Sequence, residues 1–208
     1  MAPRILVFKY GVGNVFSVKA ALERAGALAD IKDSLEDIED YDALVLPGVG
    51  TMPAAMRRLT AWRGKVERHL EKRKPLLGIC LGLQLLFEES EELGPTPGLG
   101  LLPGRIEKLR AKPLPHIGWN LVEPMRPSEL LKGLEKPFYA YYIHSYAYKG
   151  VEKPYVKAHT RVGGEVFAAV VEKPPLYATQ FHPERSGRTG ASILSRFVEI
   201  AGGRGLED

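Results

Sequence analysis

The fold predicted by this 208-residue sequence is α/β: a mostly parallel open sheet flanked by helices, with antiparallel strands added to it. Three observations lead there. Short apolar runs alternate with amphipathic helical patterns as far as Glu92. One of those runs enters Gly78-Ile79-Cys80-Leu81-Gly82 and leaves it as a helical pattern. Beyond Glu92 the helical period gives way to strand-like runs punctuated by Pro and Gly. Alternating strands and helices imply parallel pairing with helices on both faces, and the later runs imply hairpins.

Residues 4–8 read as a buried strand, and Asn14 stands at the N-cap of a helix whose apolar positions are Val15, Val18, Leu22 and Ala25. A second strand falls at 27–31. Residues 42–46 form the next, stopped by Pro47-Gly48, and Met52, Met56, Leu59, Val66 and Leu70 mark one long amphipathic helix. Residues 75–79 supply the strand into the Cys80 turn, and Leu83, Leu86 and Phe87 the helix out of it. Past the Pro- and Gly-rich stretch 94–104, runs at 105–109, 138–142, 155–158 and 165–171 read as hairpins added to the main sheet. Residues 176–181 are a further strand, Ile193, Leu194, Phe197 and Val198 give a last amphipathic helix, and 202–208 should fray. No internal repeat is visible, and one domain over 1–208 accommodates the pattern.

At 45% hydrophobic the chain can bury one good core. Lys and Arg number 29 against 25 Asp and Glu, and the charges are interspersed, so no nucleic-acid face is indicated. No run approaches the roughly 18 apolar residues of a membrane span. A single cysteine cannot form an internal disulfide, and no basic-then-apolar leader opens the chain, so a cytoplasmic location is expected. Gly11-Val12-Gly13-Asn14-Val15-Phe16 places Phe16 where a dinucleotide loop needs its third glycine, and no Cys/His cluster has metal-ligand spacing. Neither a metal nor a cofactor is expected. Side-chain amides occur only at Asn14, Gln84, Asn120 and Gln180, a scarcity typical of heat-adapted proteins, which singles out Gln84 just after Cys80 and Gln180 just before His182.

The Cys80 segment has the shape of a nucleophile elbow, a sharp strand-to-helix turn that needs small residues two before and two after the nucleophile. Such a turn should lift the thiol into solvent at a helix start, where the dipole and free N–H groups favour thiolate. A thiol nucleophile needs a base, and His182-Pro183-Glu184 offers one with its orienting carboxylate. Proline holds His182 extended, and residues two apart on an extended chain point to one side. Among the other histidines, His69 and His159 read as surface residues and His116 as part of a proline-rich loop. His144 reads as a substrate-side contact or a structural histidine. An oxyanion needs N–H donors: Leu81 offers one and Pro47-Gly48-Val49-Gly50, closing another strand, a second. On these residues alone, a buried inert cysteine and a plain turn at 47–50 remain the alternatives.

Gly78-Ile79-Cys80-Leu81-Gly82-Leu83-Gln84 together with Gln180-Phe181-His182-Pro183-Glu184 resembles the class I glutamine amidotransferase family, over essentially the whole chain. Tyr10-Gly11-Val12-Gly13-Asn14, Pro47-Gly48-Val49-Gly50, Gly118-Trp119-Asn120, Ile143-His144-Ser145-Tyr146 and His182-Pro183-Glu184-Arg185-Ser186 together narrow the resemblance to members that supply ammonia for histidine biosynthesis. It implies a flavodoxin-like core and a catalytic set of Cys80, His182 and Glu184, acting through a glutamyl thioester. It implies further that the Val49 and Leu81 N–H groups form the oxyanion hole, and that Gly48, Gly50, Gln84, His144, Ser145 and Tyr146 line the glutamine site. The implied partner is a (β/α)8 barrel cyclase in a heterodimer, with Val12, Asn14, Trp119 and Arg185 at the interface. Two positions depart from the pattern. Lys9 stands where members often carry Asp, and Arg185 where they often carry Lys, exchanging a point charge for a planar guanidinium. Other readings are a glutaminase serving a different synthase, a stand-alone cysteine hydrolase, and a non-catalytic regulatory module of the same shape.

Overall fold

The computed structural model describes residues 1–11 and 14–203. In chain order, β1 (Arg4–Phe8), α1 (Val15–Arg24), β2 (Leu28–Lys32), β3 (Ala43–Leu46), α2 (Met52–Leu59), α3 (Arg63–Glu71), β4 (Leu76–Ile79) and α4 (Leu81–Gln84) form the alternating part. They are followed by β5 (Phe87–Ser90), β6 (Thr96–Pro97), β7 (Leu102–Lys108), β8 (His116–Pro124), β9 (Phe138–His144), β10 (Tyr146–Tyr148), β11 (Val156–Val162), β12 (Glu165–Lys173), β13 (Leu176–Thr179) and α5 (Gly187–Ala201).

Among the described residues, nine strands make one sheet in the order β2-β1-β3-β4-β13-β12-β11-β8-β9. The members from β2 to β13 run parallel. Those from β12 to β9 are joined antiparallel. Every residue of β3, β4 and β13 is buried, as interior parallel strands covered on both faces require. Val18 and Leu22 of α1 pack with Ile193 and Phe197 of α5 in one apolar layer, and Met52, Leu59 and Val66 of α2 and α3 lie in the other. The consequential pairing is β4 with β13, in the register Ile79 opposite Thr179. Cys80 and Gln180 are the next residues along, so two segments far apart in sequence leave the same carboxyl edge side by side. Ligands of open α/β sheets bind at that edge.

Several elements differ from the sequence reading. The run at 105–109 does not join the main sheet: β7 belongs to a second, four-stranded sheet ordered β10-β7-β5-β6. The helix after Cys80 stops at Gln84, and Phe87 opens a strand instead. The cause lies in the Gly-rich stretch, whose Leu99, Gly100 and Leu101 N–H groups donate to the carbonyls of Leu85, Phe87 and Leu86 at 2.8, 3.0 and 2.9 Å. The long helix expected from Met52 to Leu70 is broken by a 3₁₀ turn, Thr60–Trp62. There the Thr60 hydroxyl donates back to the Met56 carbonyl at 2.6 Å. His116 sits not in a loop but at the start of β8. Asn14 occupies the N-cap position of α1 without capping it, because its Oδ1 accepts from the Ser17 hydroxyl. The tail beyond Gly203 lies outside the described residues. Among the described residues, no helix is long and apolar enough to cross a membrane.

His69 and His159 are buried, not on the surface. His159 Nε2 lies 3.3 Å from Glu123 Oε1 across the β11–β8 pair. His69, near the end of α3, lies 3.2 Å from the Pro75 carbonyl through Nε2, a contact in which the ring nitrogen donates. Burial, reinforced by Lys74 and Lys72 against the opposing effects of that carbonyl and of Glu39, pushes its pKa down to about 4. An unfolded histidine titrates near 6.5, so between these values the unfolded chain binds more protons and stability falls as pH drops. This stabilisation is complete above pH ~6.5 and declines towards pH ~4, by at most about 3 kcal/mol. His69→Gln keeps a donor for Pro75 without the titration. Thermal unfolding at pH 7 and pH 4.5 should show a smaller acid-induced loss of Tm in the variant than in the wild type, and equal losses would contradict a neutral buried His69.

Candidate active site

Between the end of β4 and the start of α4, Cys80 alone turns the chain, with φ 54° and ψ −104°. A positive φ is strained for a residue with a Cβ and persists only where the surroundings enforce it. Here the enforcement is visible. A Cβ on Gly78 would lie 2.6 Å from the Gly82 carbonyl oxygen, and one on Gly82 only 1.7 Å from that of Leu46. The two glycines let the turn fold onto itself and onto β3. The Cys80 N–H donates to Thr179 O at 2.8 Å, and its carbonyl accepts from Leu83 and Gln84 N–H.

The thiol is not lifted into solvent: Cys80 is only 4% exposed. Its Sγ lies 3.7 Å from the Ile143 carbonyl and 3.6 Å from Gln180 Nε2. It borders a cavity of about 270 Å³ lined by Gly48, Val49, Gly50, Cys80, Leu81, Gln84, Glu92, Pro115, Ile143, His144, Ser145 and Tyr146. All the residues expected around glutamine therefore meet in one cavity.

His182 is extended ahead of Pro183, at φ −96° and ψ 97°. Its N–H donates to Tyr141 O at 2.9 Å. The Ser186 hydroxyl donates to the His182 carbonyl at 2.6 Å and accepts from Tyr141 N–H at 3.0 Å, clamping the segment to β9. His182 Nδ1 lies 2.9 Å from Glu184 Oε1, with side chains 3% and 1% exposed. The 3₁₀ turn Pro183–Arg185, rather than a continued extended chain, returns this carboxylate to the imidazole. With Nδ1–H directed at the carboxylate, Nε2 is left for the sulfur. Burial alone would push the imidazole pKa down. The charge of a Cys80 thiolate, then the Glu184 carboxylate, outweigh it and hold the pKa well above the usual histidine range. Among the described residues, Nε2 is buried without a hydrogen-bond partner.

One wall of the cavity is fixed by two lines of hydrogen bonds that converge on the Tyr146 carbonyl. Gln84 Nε2 donates to Tyr146 O at 2.8 Å and Gln180 Oε1 at 3.3 Å. His144 Nδ1 lies 2.9 Å from the same Tyr146 carbonyl, so it carries the proton and Nε2 accepts from His116 Nδ1 at 3.1 Å. His116 Nε2 in turn accepts from Asn120 Nδ2 at 3.1 Å, and Asn120 is anchored through Arg161 O and Leu121 N–H. Burial pushes His144 down to about 3, with His116 and His182 adding to the effect against the opposing Tyr146 carbonyl, and burial lowers His116 as well. Both rings stay neutral, as the chain of donors requires.

On the opposite wall, Gly48 has no room for a side chain: a Cβ would lie 2.5 Å from the Tyr10 hydroxyl and 3.0 Å from Leu81 Cβ. Gly50 has φ 115°, a conformation natural to glycine. Leu81 N–H is the first of α4, where no intrahelical acceptor exists. Of the expected interface residues, Trp119 is 56% exposed and sets its ring edge against Tyr141, with centroids 6.2 Å apart. The Arg185 guanidinium lies over the same Tyr141 ring at 5.3 Å, a contact that a planar cation makes better than an ammonium. Asn14 is half-buried at the start of α1, and Val12 lies outside the described residues. Lys9 is exposed, and its N–H pairs with Lys32 O at the end of β2.

Sequence reasoning missed Glu92 and the clamping role of Ser186. Glu92 accepts the Met52 N–H at 2.7 Å through Oε2 and lines the cavity; burial raises its pKa against that hydrogen bond. It ends an acidic run, Glu88 to Glu92, in which nothing marks one carboxylate from the next. Ser186 lay in a motif, but its two bonds depend on β9, which the sequence does not place.

The model of the family described as glutamine amidotransferase class-I matches residues 9–201. The imidazole glycerol phosphate synthase subunit HisH of Caldanaerobacter subterraneus is 43% identical over 197 residues, spanning 93% of this chain and 97% of its own. The protein of that name from Geobacillus kaustophilus is 44% identical over 208 residues, spanning 96% and 98%. Among solved structures, PurLQS from Thermotoga maritima superposes with a TM-score of 0.76 at 20% identity, over 96% of this chain and 99% of that one, a likeness of fold. The chain belongs to the class-I glutamine amidotransferase family.

Proposed function

We propose that this chain is the glutaminase subunit of imidazole glycerol phosphate synthase: it hydrolyses glutamine through a thioester on Cys80 and passes the ammonia to a (β/α)8 barrel cyclase. The reading rests above all on one observation. A strained cysteine that borders a cavity sized for a single amino acid and a carboxylate-bound imidazole follow neighbouring parallel strands, near enough for the Cys80 charge to raise the imidazole pKa.

The chemistry follows from that arrangement. The Cys80 thiolate attacks the side-chain carbonyl carbon of glutamine, and the oxygen takes the charge, received by the Leu81 and Val49 N–H groups. The tetrahedral adduct collapses as His182 gives its proton to the departing nitrogen, releasing ammonia and leaving a glutamyl thioester. Water, surrendering a proton to His182, attacks the thioester, and glutamate leaves as the thiolate is restored. An imidazole whose pKa is raised by Cys80 and Glu184 holds its proton until the amine takes it. Glu92 receives the α-ammonium of glutamine. Gln84, with its amide nitrogen engaged by Tyr146 and Gln180, offers substrate only its carbonyl oxygen.

Ammonia released into bulk water would be protonated and diluted, so the product calls for a docked acceptor. The exposed aromatic group of Trp119 and Tyr139, with Arg185 stacked on Tyr141 close to His182, has the composition of interface anchors. Asn14 and Val12 complete the proposed contact. The backbone from Gly48 to Gly50 reorganises when the partner holds its own substrate, which keeps glutamine from being wasted. A cytoplasmic setting fits a lone reduced cysteine.

Two measurements check this. Ammonia release from glutamine should be slow for the chain alone and rise about 100-fold with the cyclase and its nucleotide ligand. Cys80→Ala should abolish it in both settings. Equal rates with and without the partner would contradict the coupling, and retained activity in the alanine variant would remove Cys80 from the reaction. Glu92→Gln should raise KM for glutamine about tenfold, the equivalent of ~1.4 kcal/mol, with kcat changed far less. An unchanged KM would contradict the assigned ammonium site.

A further inference from the structure

Gln180 is fully buried, and the reaction as described makes no use of it. It stands one residue past Thr179 on β13, as Cys80 stands one past Ile79 on β4, so the paired strands place the two side by side. Its Nε2 lies 3.6 Å from Cys80 Sγ. Which end of an amide faces a neighbour must be deduced from its partners, and here they decide it. Tyr146 O can only accept, so the Gln84 atom 2.8 Å away is the nitrogen. That nitrogen lies 3.3 Å from the terminal atom of Gln180, which is therefore the carbonyl oxygen. The remaining end of Gln180, its N–H donor, is turned to the sulfur. Tyr146 O also accepts from His144 Nδ1, so the wall that fixes the amide is itself fixed from β8 through His116 and Asn120.

We propose that Gln180 is a positioning residue for the nucleophile: its amide N–H, held in one orientation by Gln84 and Tyr146, donates to Cys80 Sγ and stabilises the anionic sulfur in its attacking position. A hydrogen bond strengthens when its acceptor becomes charged, so this donor favours thiolate over thiol. It also restrains the sulfur from the side of β13, complementing His182. The role deepens the glutaminase reading of the same cavity.

The test uses the full chain and the fact that Cys80 is its only cysteine, so alkylation by iodoacetamide reports on that sulfur alone. Gln180→Met removes the donor at nearly constant volume, and Gln180→Glu replaces it with an acceptor that can carry charge. The alkylation rate at pH 7 should fall about tenfold in Gln180→Met, the worth of one hydrogen bond to a charged atom, with the pH profile displaced upward. It should fall further in Gln180→Glu. A packing role alone predicts no such ordering. Wild-type and Gln180→Met profiles that superimpose, or a Gln180→Glu variant as reactive as the wild type, would overturn the proposal. Should Gln180→Glu not fold, the methionine variant, checked for a native circular dichroism spectrum, decides by itself. Alkylation requires no turnover of glutamine, so failure of the glutaminase reading would appear as a wild type without ammonia release, separately from this result.

Discussion

The parallel pairing of β4 with β13 is the constraint on which the site depends. It brings the residue after Ile79 and the residues after Thr179 to one carboxyl edge, in one register, with the Cys80 N–H bonded to the Thr179 carbonyl. A slip of a single residue would turn each side chain of β13 to the opposite face of the sheet, and buried strands specify register strongly. Every residue of both strands is buried. The core that stabilises the fold and the geometry that sets sulfur against imidazole are thus one set of contacts.

On that frame the local strain at Cys80 is affordable. A residue with a Cβ at positive φ costs of order 1–3 kcal/mol, and neighbouring structure must over-determine it. Gly82 against the Leu46 carbonyl and Gly78 against Gly82 supply that determination. The antiparallel half of the sheet contributes the opposite side. Tyr141 O receives the His182 N–H, and Ile143 O faces the thiol, so β9 holds both reacting groups through alternate carbonyls. Glutamine amidotransferase chemistry here is distributed over a parallel core that presents the groups and an antiparallel flank that fixes them.

Much of this was legible in the sequence. The alternation of apolar runs with helical patterns gave the parallel core, because strands buried on both faces must be apolar throughout. Gly78 and Gly82 around Cys80 marked the elbow, because only a chain folding back on itself needs glycine at both places. The amide scarcity pointed to Gln84 and Gln180, which the structure places in one hydrogen-bonded network with Asn120, joined at the Tyr146 carbonyl. What escaped depends on long-range partners. Phe87 continues a helical pattern, yet strangers in sequence, Leu99 to Leu101, take the carbonyls a helix would need. His69 has the polar neighbours of a surface residue and is buried against Pro75. Glu92 is one acidic residue in a run, distinguished only by the cavity it borders.

The most direct measurement is a diffraction structure of the chain in complex with its cyclase after reaction with a glutamine-like electrophile. The expected result is a covalent bond at Cys80 Sγ, the former carbonyl oxygen within hydrogen-bond distance of the Leu81 and Val49 N–H groups, and His182 Nε2 facing the leaving position. An adduct on another residue, or a Cys80 adduct whose oxygen points away from both N–H groups with His182 turned aside, would contradict it.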